Sequence, residues 1–455
     1  MVINTEFFNK YNKQAPRYTS YPPANMFNLN FNKSDLINSI SKSDSKNISI
    51  YIHIPFCPQR CYFCGCNTSL YINDIQVERY FECLKKEILS IKEFIKNKPS
   101  INQIHFGGGT PNSVNLNLIR EIFELLNINF NIEKDAEIAI ECSPAYLDYK
   151  DIDFLKNIGF NRISLGIQDF NQEVLKAINR KPPLNEIDDI INYIRKSQFK
   201  GINIDLIYGL PLQTVDSFKQ NILKAIELNT DRIVTFSYAN IPWFNKEQNK
   251  MDGLKFPTEK EKFEMLDIAI NLLTKNDYEL IGMDHFAKKT DELAIAKKQN
   301  KLHRNFQGYC TKEKDTDVYA FGSSAISQLK YCYSQNTKQV DDYINQIESK
   351  GLAIERGYSL SSEDIIVKDI INEIMCNGIV NLLEICAKYK IEIEKLLSIT
   401  KFDTSKIRNL IDDDLVEYSD YKIKVKNEGL LIVRNIAMAF DPKVSENTGN
   451  YSKII

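Results

Sequence analysis

Short apolar segments recur along the chain, and helix-like stretches separate most of them. The strand-like segments are rich in β-branched residues and lie at residues 48–54, 103–106, 137–142, 162–168, 202–209 and 232–238, with a seventh candidate at 278–284. Apolar residues at helical spacing predict amphipathic helices over 77–91 and 215–228. This alternation predicts an α/β fold, namely a parallel barrel or partial barrel with its helices outside.

The predicted strands alternate between an apolar face and a polar face. The polar face carries Glu141, Gln168 and Asp205, and also Tyr51, His53, Ser164 and Asn203. A parallel barrel filled by its own core would be apolar on both faces, so this pattern predicts a wide cavity lined by polar groups. Glu141, Gln168 and Asp205 fall late in their strands, where barrel active sites are built.

The two ends of the chain differ from its middle. Residues 1–47 are polar, and the Tyr/Pro-rich segment 15–23 predicts an extended arm. Residues 48–355 hold the predicted barrel and its extension. From 356 to 455, helical stretches and two short strand candidates predict a small, mostly helical, winged-helix-like domain.

Composition excludes several classes of protein. The 455 residues are 43% hydrophobic and 26% charged, which is ordinary for a soluble globular protein. The net charge of −2 does not favour a nucleic-acid or membrane partner. No secretory signal or membrane-spanning segment is apparent, so we expect a cytoplasmic protein. Ten cysteines in such a protein are not a disulfide framework, and four of them crowd into 57–66.

Cys57, Cys61 and Cys64 directly follow the first strand and are the candidate metal ligands. Three thiolates can hold three irons of a [4Fe–4S] cluster, leaving the fourth iron open to the amino and carboxylate groups of S-adenosylmethionine. The alternative is a structural zinc site closed by Cys66. Zinc sites usually use two separate cysteine pairs, which this compact segment does not provide.

Further polar positions suit a ligand of this kind. The glycines of GGGTP (107–111) follow the second strand and allow close approach of the backbone to a ligand. Glu141 suits a cationic amino group, and Asp205 or Gln168 suits ribose hydroxyls, although Arg162 or Arg180 could instead pair with either carboxylate. Segments 284–286 and 303–309 combine charged and aromatic residues, as a tetrapyrrole cavity or a loop anchor would.

The cysteine motif and GGGTP resemble the radical S-adenosylmethionine superfamily. Finer motifs resemble its oxygen-independent coproporphyrinogen III dehydrogenases (oxidases) of heme biosynthesis, namely RYTSYP (17–22), CYFCGCN (61–67), GFNRISLGIQDFN (159–171), NIDLIYGLP (203–211), IGMDHFA (281–287), LHRNFQGY (302–309) and LLIVRNIAMAFD (430–441). The resemblance runs from the arm to the last residues and implies a partial barrel that holds two molecules of S-adenosylmethionine.

The resemblance also implies roles for individual residues. Those matching contacts of the cluster-bound S-adenosylmethionine are Tyr51, Gly108, Glu141 and Ile326. Those matching contacts of the second molecule are Phe63, Gly109, Thr110, Gln168, Arg180, Asp205 and Ala239. The implied reaction is oxidative decarboxylation of two propionates of coproporphyrinogen III to vinyls by a 5′-deoxyadenosyl radical, giving protoporphyrinogen IX.

The expected partners follow from the same resemblance. Coproporphyrinogen III is the implied substrate, and Arg17 is the candidate for binding one of its carboxylates. A flavodoxin- or ferredoxin-type electron donor, an unidentified electron acceptor and a monomeric state are expected. The alternative is a heme chaperone or an anaerobic heme-modifying relative, although Gly65-Cys66 after the third cysteine and the RYTSYP arm favour the dehydrogenase.

Overall fold

The computed structural model describes residues 7, 10–242, 245–311, 317–426, 428–444 and 451, and the chain forms two compact units. The larger unit is built from 28–276 and 316–359, and the smaller one from the described parts of 1–27, 277–315 and 360–455. The predicted boundaries at 47/48 and 355/356 are single cuts along the chain. Each compact unit instead combines segments that are distant in the sequence.

Parallel strands form the centre of the larger unit. Its first strands are β1 (Asn47–Ile54), β2 (Phe56–Cys57), β3 (Ser69–Leu70), β4 (Ser100–Gly108), β5 (Asn131–Cys142), β6 (Arg162–Gln168), β7 (Gly201–Tyr208) and β8 (Arg232–Ser237). Strands β1 and β4–β8 lie side by side in sequence order and pair in parallel, while β2 and β3 form a separate short pair. The six predicted barrel strands and the α/β class are therefore confirmed.

Helices precede, connect and follow these strands, and all but the helix Ile187–Lys196 begin at a side-chain cap. They are α1 (Lys33–Lys42), α2 (Asp74–Lys92), α3 (Leu116–Asn129), α4 (Tyr149–Ile158), α5 (Gln172–Ala177), α6 (Ile187–Lys196), α7 (Val215–Glu227) and α8 (Glu259–Lys275). Helices α2 and α7 confirm the predicted ones. Helix α1 was not predicted, because the N-terminal segment was expected to be an extended arm. A capping box between Asn32 and Asp35 begins this helix, and Leu36 and Ile40 are buried on its apolar side.

Strand β6 shows why the polar and apolar faces separate. Its buried residues are Ile163, Leu165 and Ile167, and its intervening residues are only partly buried. Period-two alternation places the first set on one face and Ser164 and Gln168 on the other. The predicted polar face therefore exists in this strand.

The chain then leaves the larger unit and returns to it. Segment 277–311 of the smaller unit contains β9 (Tyr278–Gly282), β10 (His285–Lys288), α9 (Glu292–Lys298), β11 (Leu302–Asn305) and β12 (Gly308–Thr311). The returning segment contains β13 (Asp317–Phe321), β14 (Ile326–Gln328), β15 (Cys332–Asn336), α10 (Val340–Lys350) and β16 (Ile354–Ser359). Strand β13 pairs in parallel with β1, and β14–β16 extend the sheet in antiparallel fashion.

These four returning strands were not predicted from hydrophobicity. Strands β14 and β15 bury polar side chains such as Gln328, Ser334 and Asn336 and so lack an apolar run. Strand β13 does contain a short apolar run, residues 318–321, which the sequence analysis did not identify as a strand. Buried Glu87 of α2 binds this region: it accepts hydrogen bonds from Tyr343 Oη (2.6 Å), Asn336 Nδ2 (2.6 Å) and the amide of Gly322 (2.9 Å). Burial raises the pKa of Glu87 to about 7, against the opposing effect of those hydrogen bonds.

The rest of the smaller unit is mostly helical. It contains α11 (Ser362–Asn377), β17 (Ile379–Asn381), α12 (Leu382–Tyr389), α13 (Ile393–Thr400), α14 (Arg408–Asp412), β18 (Val416–Ser419), β19 (Lys422–Val425) and α15 (Val433–Met438). The three strands form an antiparallel sheet in the order β17, β19, β18. The predicted helical region with two short strands is present, and β17 adds a third short strand that was not predicted. Among the described residues, no helix is long and apolar enough to cross a membrane.

Candidate functional site

The three candidate cysteines lie on and after β2, beside the carboxyl end of β1. Cys57 is buried, and its Sγ lies 3.4 Å from Oγ1 of Thr110. Arg180 Nη1 donates to Sγ of Cys61 at 3.5 Å, and the amide of Cys64 donates to the carbonyl of Cys61 at 3.2 Å. A cavity of about 160 Å³ opens beside this loop, and its lining includes Cys61, Cys64, Cys66 and Asn245.

Burial and neighbouring groups shift the pKa values of the thiols in this loop. Burial raises the pKa of Cys57 to about 11, and the negative charges of Cys64 and Cys61 contribute to that rise. Burial likewise raises the pKa of Cys61, although the charge of Arg180 opposes it. A hydrogen bond with Cys66 lowers the pKa of Cys64. Metals bind cysteine as the thiolate, so metal binding to this loop releases thiol protons.

Cluster binding and zinc binding demand different spacings of these thiols. Nowhere in the described part of the chain do three His, Cys, Asp or Glu side chains form a group that could hold one metal ion. Zinc needs all four thiolates bonded to the same ion, whereas three cluster ligands bind three different irons and stand farther apart. Three thiols on one short loop, with Arg180 donating to Sγ of Cys61, are a donor set of the kind that a [4Fe–4S] cluster takes.

The glycines of 107–109 lie in close contact with neighbouring groups, with no free space for a Cβ. A Cβ on Gly107 would lie 2.6 Å from Oε1 of Glu141, and one on Gly109 would lie 2.5 Å from the carbonyl oxygen of Pro55. Gly108 has φ +118°, and a Cβ there would lie 2.7 Å from the ring of His53. The triple glycine thus lets this strand end pack directly against β1 and Glu141.

Glu141 is held by the neighbouring strand. Its Oε1 pairs with Nε2 of His105 at 2.9 Å, and its Oε2 accepts from the amide of Gly108 at 3.2 Å. Burial by itself raises the pKa of Glu141, but these two hydrogen bonds and the charges of His105 and His53 together outweigh burial, and the net pKa is lowered. Its side chain is 43% exposed, so an ionised carboxylate remains available to a cationic group. Arg162, a partner considered from the sequence, pairs with Glu137 instead (3.0 Å).

His105 is a site residue that the sequence analysis missed. Opposing the effect of burial, the hydrogen bond and charge of Glu141 raise the pKa of His105. The ring of Tyr51 stacks on His105 with centroids 5.9 Å apart, and Tyr51 Oη lies within hydrogen-bond distance of His53 Nδ1 (3.0 Å). Strand alternation, which places His105 on the polar face with Tyr51, was the signal that could have found it.

The residues implied for the cluster-bound S-adenosylmethionine therefore largely converge. Tyr51, Gly108 and Glu141 are joined through His53 and His105. Ile326, the fourth, is the first residue of β14, which only β13 separates from β1.

A second group of polar residues lies at the ends of β6 and β7. Arg180 Nη2 donates to the carbonyl of Gly166, and a Cβ on Gly166 would lie 2.9 Å from Nε2 of Gln168 and 3.1 Å from Arg180. Gly166 is paired in register with Asp205, whose carboxylate accepts from Asn203 Nδ2 at 2.9 Å. Gln168, Arg180 and Asp205 therefore surround one strand position.

This second group contains polar atoms whose hydrogen-bonding capacity is unused. Gln168 adopts φ +74°, which L-residues rarely adopt, and its buried Oε1 has no hydrogen-bond partner among the described residues. The buried Oδ1 of Asn203 likewise has no hydrogen-bond partner among the described residues. Buried amide oxygens of this kind fit a polar ligand that donates hydrogen bonds.

The remaining residues of the second set lie around the cysteine loop. Gly109 donates its amide to Ile54, and Thr110 contacts Cys57. Phe63 packs against an apolar cluster that includes Tyr238, while the carbonyl of Ala239 accepts from Gln248 Nε2 at 3.0 Å. Arg17 belongs to the smaller unit and is exposed.

Comparison with known proteins identifies the family. Residues 51–225 match the model of the radical SAM superfamily. The oxygen-independent coproporphyrinogen III oxidase of Synechocystis is 38% identical over 96% of this chain and 95% of that protein, and its Helicobacter pylori counterpart is 35% identical over 100% of both.

A solved structure supports the same relationship. The chain resembles coproporphyrinogen III oxidase (HemN) from Escherichia coli, described as a radical SAM enzyme, with a TM-score of 0.90 and 37% identity. The similarity covers 95% of this chain and 100% of that one. Together with the cysteine loop and the two polar groups at the strand ends, these matches show that the chain belongs to the oxygen-independent coproporphyrinogen III oxidase family of the radical SAM superfamily.

Proposed function

We propose that this chain catalyses the oxygen-independent oxidative decarboxylation of two propionates of coproporphyrinogen III to vinyls, forming protoporphyrinogen IX in heme biosynthesis. The observation that carries the proposal is identity of 34–38% to coproporphyrinogen III oxidases over nearly the whole chain, arm and C-terminal region included. A shared barrel alone would support only the superfamily.

The residues present suit two cofactors, a [4Fe–4S] cluster and S-adenosylmethionine. Cys57, Cys61 and Cys64 would hold the cluster, and ionised Glu141 would bind the amino group of the S-adenosylmethionine attached to it. When bound, these groups supply a 5′-deoxyadenosyl radical that removes hydrogen from the β-carbon of a propionate, after which carbon dioxide and one electron are lost.

The chain's own contribution is to orient and to exclude water. His105 holds Glu141 in place, and Tyr51 packs on His105. Asp205, Gln168 and Arg180 would hold a second S-adenosylmethionine, with the ribose hydroxyls donating to Asp205 and to the unused Oε1 of Gln168. Phe63 would cover the adenine or the cluster with an apolar ring.

Several expected partners belong to the same proposal. A flavodoxin- or ferredoxin-type protein would supply the electron, an acceptor would take the electron released on decarboxylation, and the chain would act as a cytoplasmic monomer. The family resemblance supports the redox partners, and the net charge of −2 argues against a nucleic-acid partner.

The test is an anaerobic incubation of reconstituted protein with coproporphyrinogen III, S-adenosylmethionine and dithionite. After oxidation to porphyrins, chromatography with fluorescence detection should show conversion of the tetracarboxylate to the dicarboxylate. Cys61→Ser protein is the matched control and should give none. Binding of heme without turnover, or modification of heme instead, would reject the proposal in favour of a heme chaperone or heme-modifying relative.

A further inference from the structure

Two guanidinium groups hold the arm of the smaller unit by its backbone. Arg434 donates to the carbonyls of Ala15 and Pro16, the latter from Nε at 3.0 Å, and Arg304 Nη1 donates to the carbonyl of Arg17. Three successive carbonyls are thus bound by two buried arginines. The backbone at Arg17 is held in place while its side chain stays exposed.

Arg304 lies on the hairpin formed by β11 and β12. It pairs in register with Tyr309, and its guanidinium lies 5.4 Å from the centre of that ring. The residue is 7% exposed, and its Nε is buried with no hydrogen-bond partner among the described residues. Leaving a donor of a buried cation unused is unfavourable unless a ligand completes its hydrogen bonding.

Positive charge exceeds negative charge around this residue. Burial and then the charges of Arg17 and Arg304 lower the pKa of Arg434 to about 9. Asp284 is the carboxylate that acts on all three arginines, and it is already paired with His285 at 2.7 Å. Within the described residues, no carboxylate forms an ion pair with Arg304 or Arg17. Arg304 and Arg17 therefore keep positive charge that a carboxylate of a ligand can neutralise, and the hydrogen bond from Arg304 to the carbonyl of Arg17 fixes the backbone beside them.

We infer that Arg304, acting with Arg17, binds a carboxylate of the substrate and thereby selects a polycarboxylate tetrapyrrole. This inference rests on the proposed function and adds Arg304 as a specificity-determining residue. The guanidinium fork matches a carboxylate in a way that lysine cannot, and the hydrogen bond from Arg304 to the backbone of Arg17 ties the two cations together.

The experiment measures binding of two probes to the cluster-loaded protein by fluorescence quenching. Coproporphyrin III carries the four carboxylates, and its tetramethyl ester masks all of them. Arg304→Gln and Arg17→Gln should each weaken binding of the acid roughly tenfold or more, and Arg304→Lys should restore only part of the loss. The ester should bind all variants equally. Arg408→Gln, an exposed arginine of the same unit, is the control and should bind the acid like wild type.

Each other result overturns the inference. Acid binding by Arg304→Gln equal to that of the Arg408→Gln control would show that Arg304 does not contact a carboxylate. Equal losses for acid and ester would show that Arg304 only holds the arm. If circular dichroism shows that Arg304→Gln does not fold, the test rests on two other variants, exposed Arg17→Gln and charge-conserving Arg304→Lys. If both bind coproporphyrin III with wild-type affinity, the inference is refuted. Absence of turnover by wild-type protein would instead refute the proposed function.

Discussion

Replacing Gly107 by alanine should separate cofactor binding from folding. The new Cβ would lie 2.6 Å from Oε1 and 2.8 Å from Cδ of Glu141, well inside van der Waals contact. The atoms met belong to the end of a flexible side chain, so Glu141 can move away without shifting the backbone. Moving it breaks the hydrogen bonds to His105 (2.9 Å) and Gly108 (3.2 Å) that hold the carboxylate in position.

The expected magnitude follows from what Glu141 binds. Losing a hydrogen bond between a charged group and its partner costs about 1.5–3 kcal/mol, and the lower end applies because the side chain is 43% exposed. Affinity for S-adenosylmethionine should therefore fall roughly tenfold, since 1.4 kcal/mol corresponds to a factor of ten. The unfolding midpoint should change little, because no backbone atom is displaced.

Two further glycines provide the comparison. A Cβ on Gly65 would meet nothing within 4 Å, so Gly65→Ala should bind S-adenosylmethionine like wild type. A Cβ on Gly109 would lie 2.5 Å from the carbonyl oxygen of Pro55, a backbone atom that cannot swing away, so Gly109→Ala should lower the unfolding midpoint. The assays are equilibrium binding of S-adenosylmethionine to anaerobically reconstituted protein and thermal unfolding. The reasoning is refuted if Gly107→Ala binds as tightly as Gly65→Ala, or unfolds as early as Gly109→Ala.

Three other predictions follow from the site and the core. Chemical analysis of the Cys66→Ser variant should still find four irons and four sulfides. Replacing any one of the proposed ligands Cys57, Cys61 and Cys64 by serine should abolish both. Asp205→Ala and Gln168→Ala should each weaken binding of the second S-adenosylmethionine by about 1–3 kcal/mol in calorimetry while leaving the iron content unchanged. Glu87 has a pKa of about 7 in the fold and 4.5 as its ordinary value. The Glu87 carboxyl therefore stays protonated to a higher pH in the folded protein than in the unfolded chain. Its contribution to stability is full below about pH 4.5 and is lost as the pH rises through about 7, a change of roughly 3 kcal/mol. Glu87→Gln should flatten that part of the pH profile of chemical denaturation.

Contrary results are equally definite. Loss of iron in the Cys66→Ser variant, or stoichiometric zinc in wild type, would reject the three-ligand cluster. Unchanged calorimetric binding in both the Asp205→Ala and Gln168→Ala variants would remove those residues from the site. An identical pH profile for Glu87→Gln and wild type would show that Glu87 is ionised in the fold at neutral pH.

The sequence determined those features that depend on local periodicity and spacing. Apolar runs located strands β1 and β4–β8, and period-two alternation put Glu141, Gln168 and Asp205 on the polar face, because side chains of a strand alternate whatever they pack against. The short spacing of Cys57, Cys61 and Cys64 likewise indicated a common metal site, because one short loop brings all three together.

Only the tertiary structure decided which distant residues became partners. His105, rather than Arg162 or Arg180, pairs with Glu141. The register of β4 and β5 sets His105 opposite Ala139, so Glu141, two residues farther along the same face, is its diagonal neighbour. Strands β14 and β15 bury polar side chains, among them Asn336, which donates to Glu87, and so carry no hydrophobic signal of their own. The assignment of 277–315 to the smaller unit depends on packing between segments far apart in sequence, which no local pattern of hydrophobic and polar residues encodes.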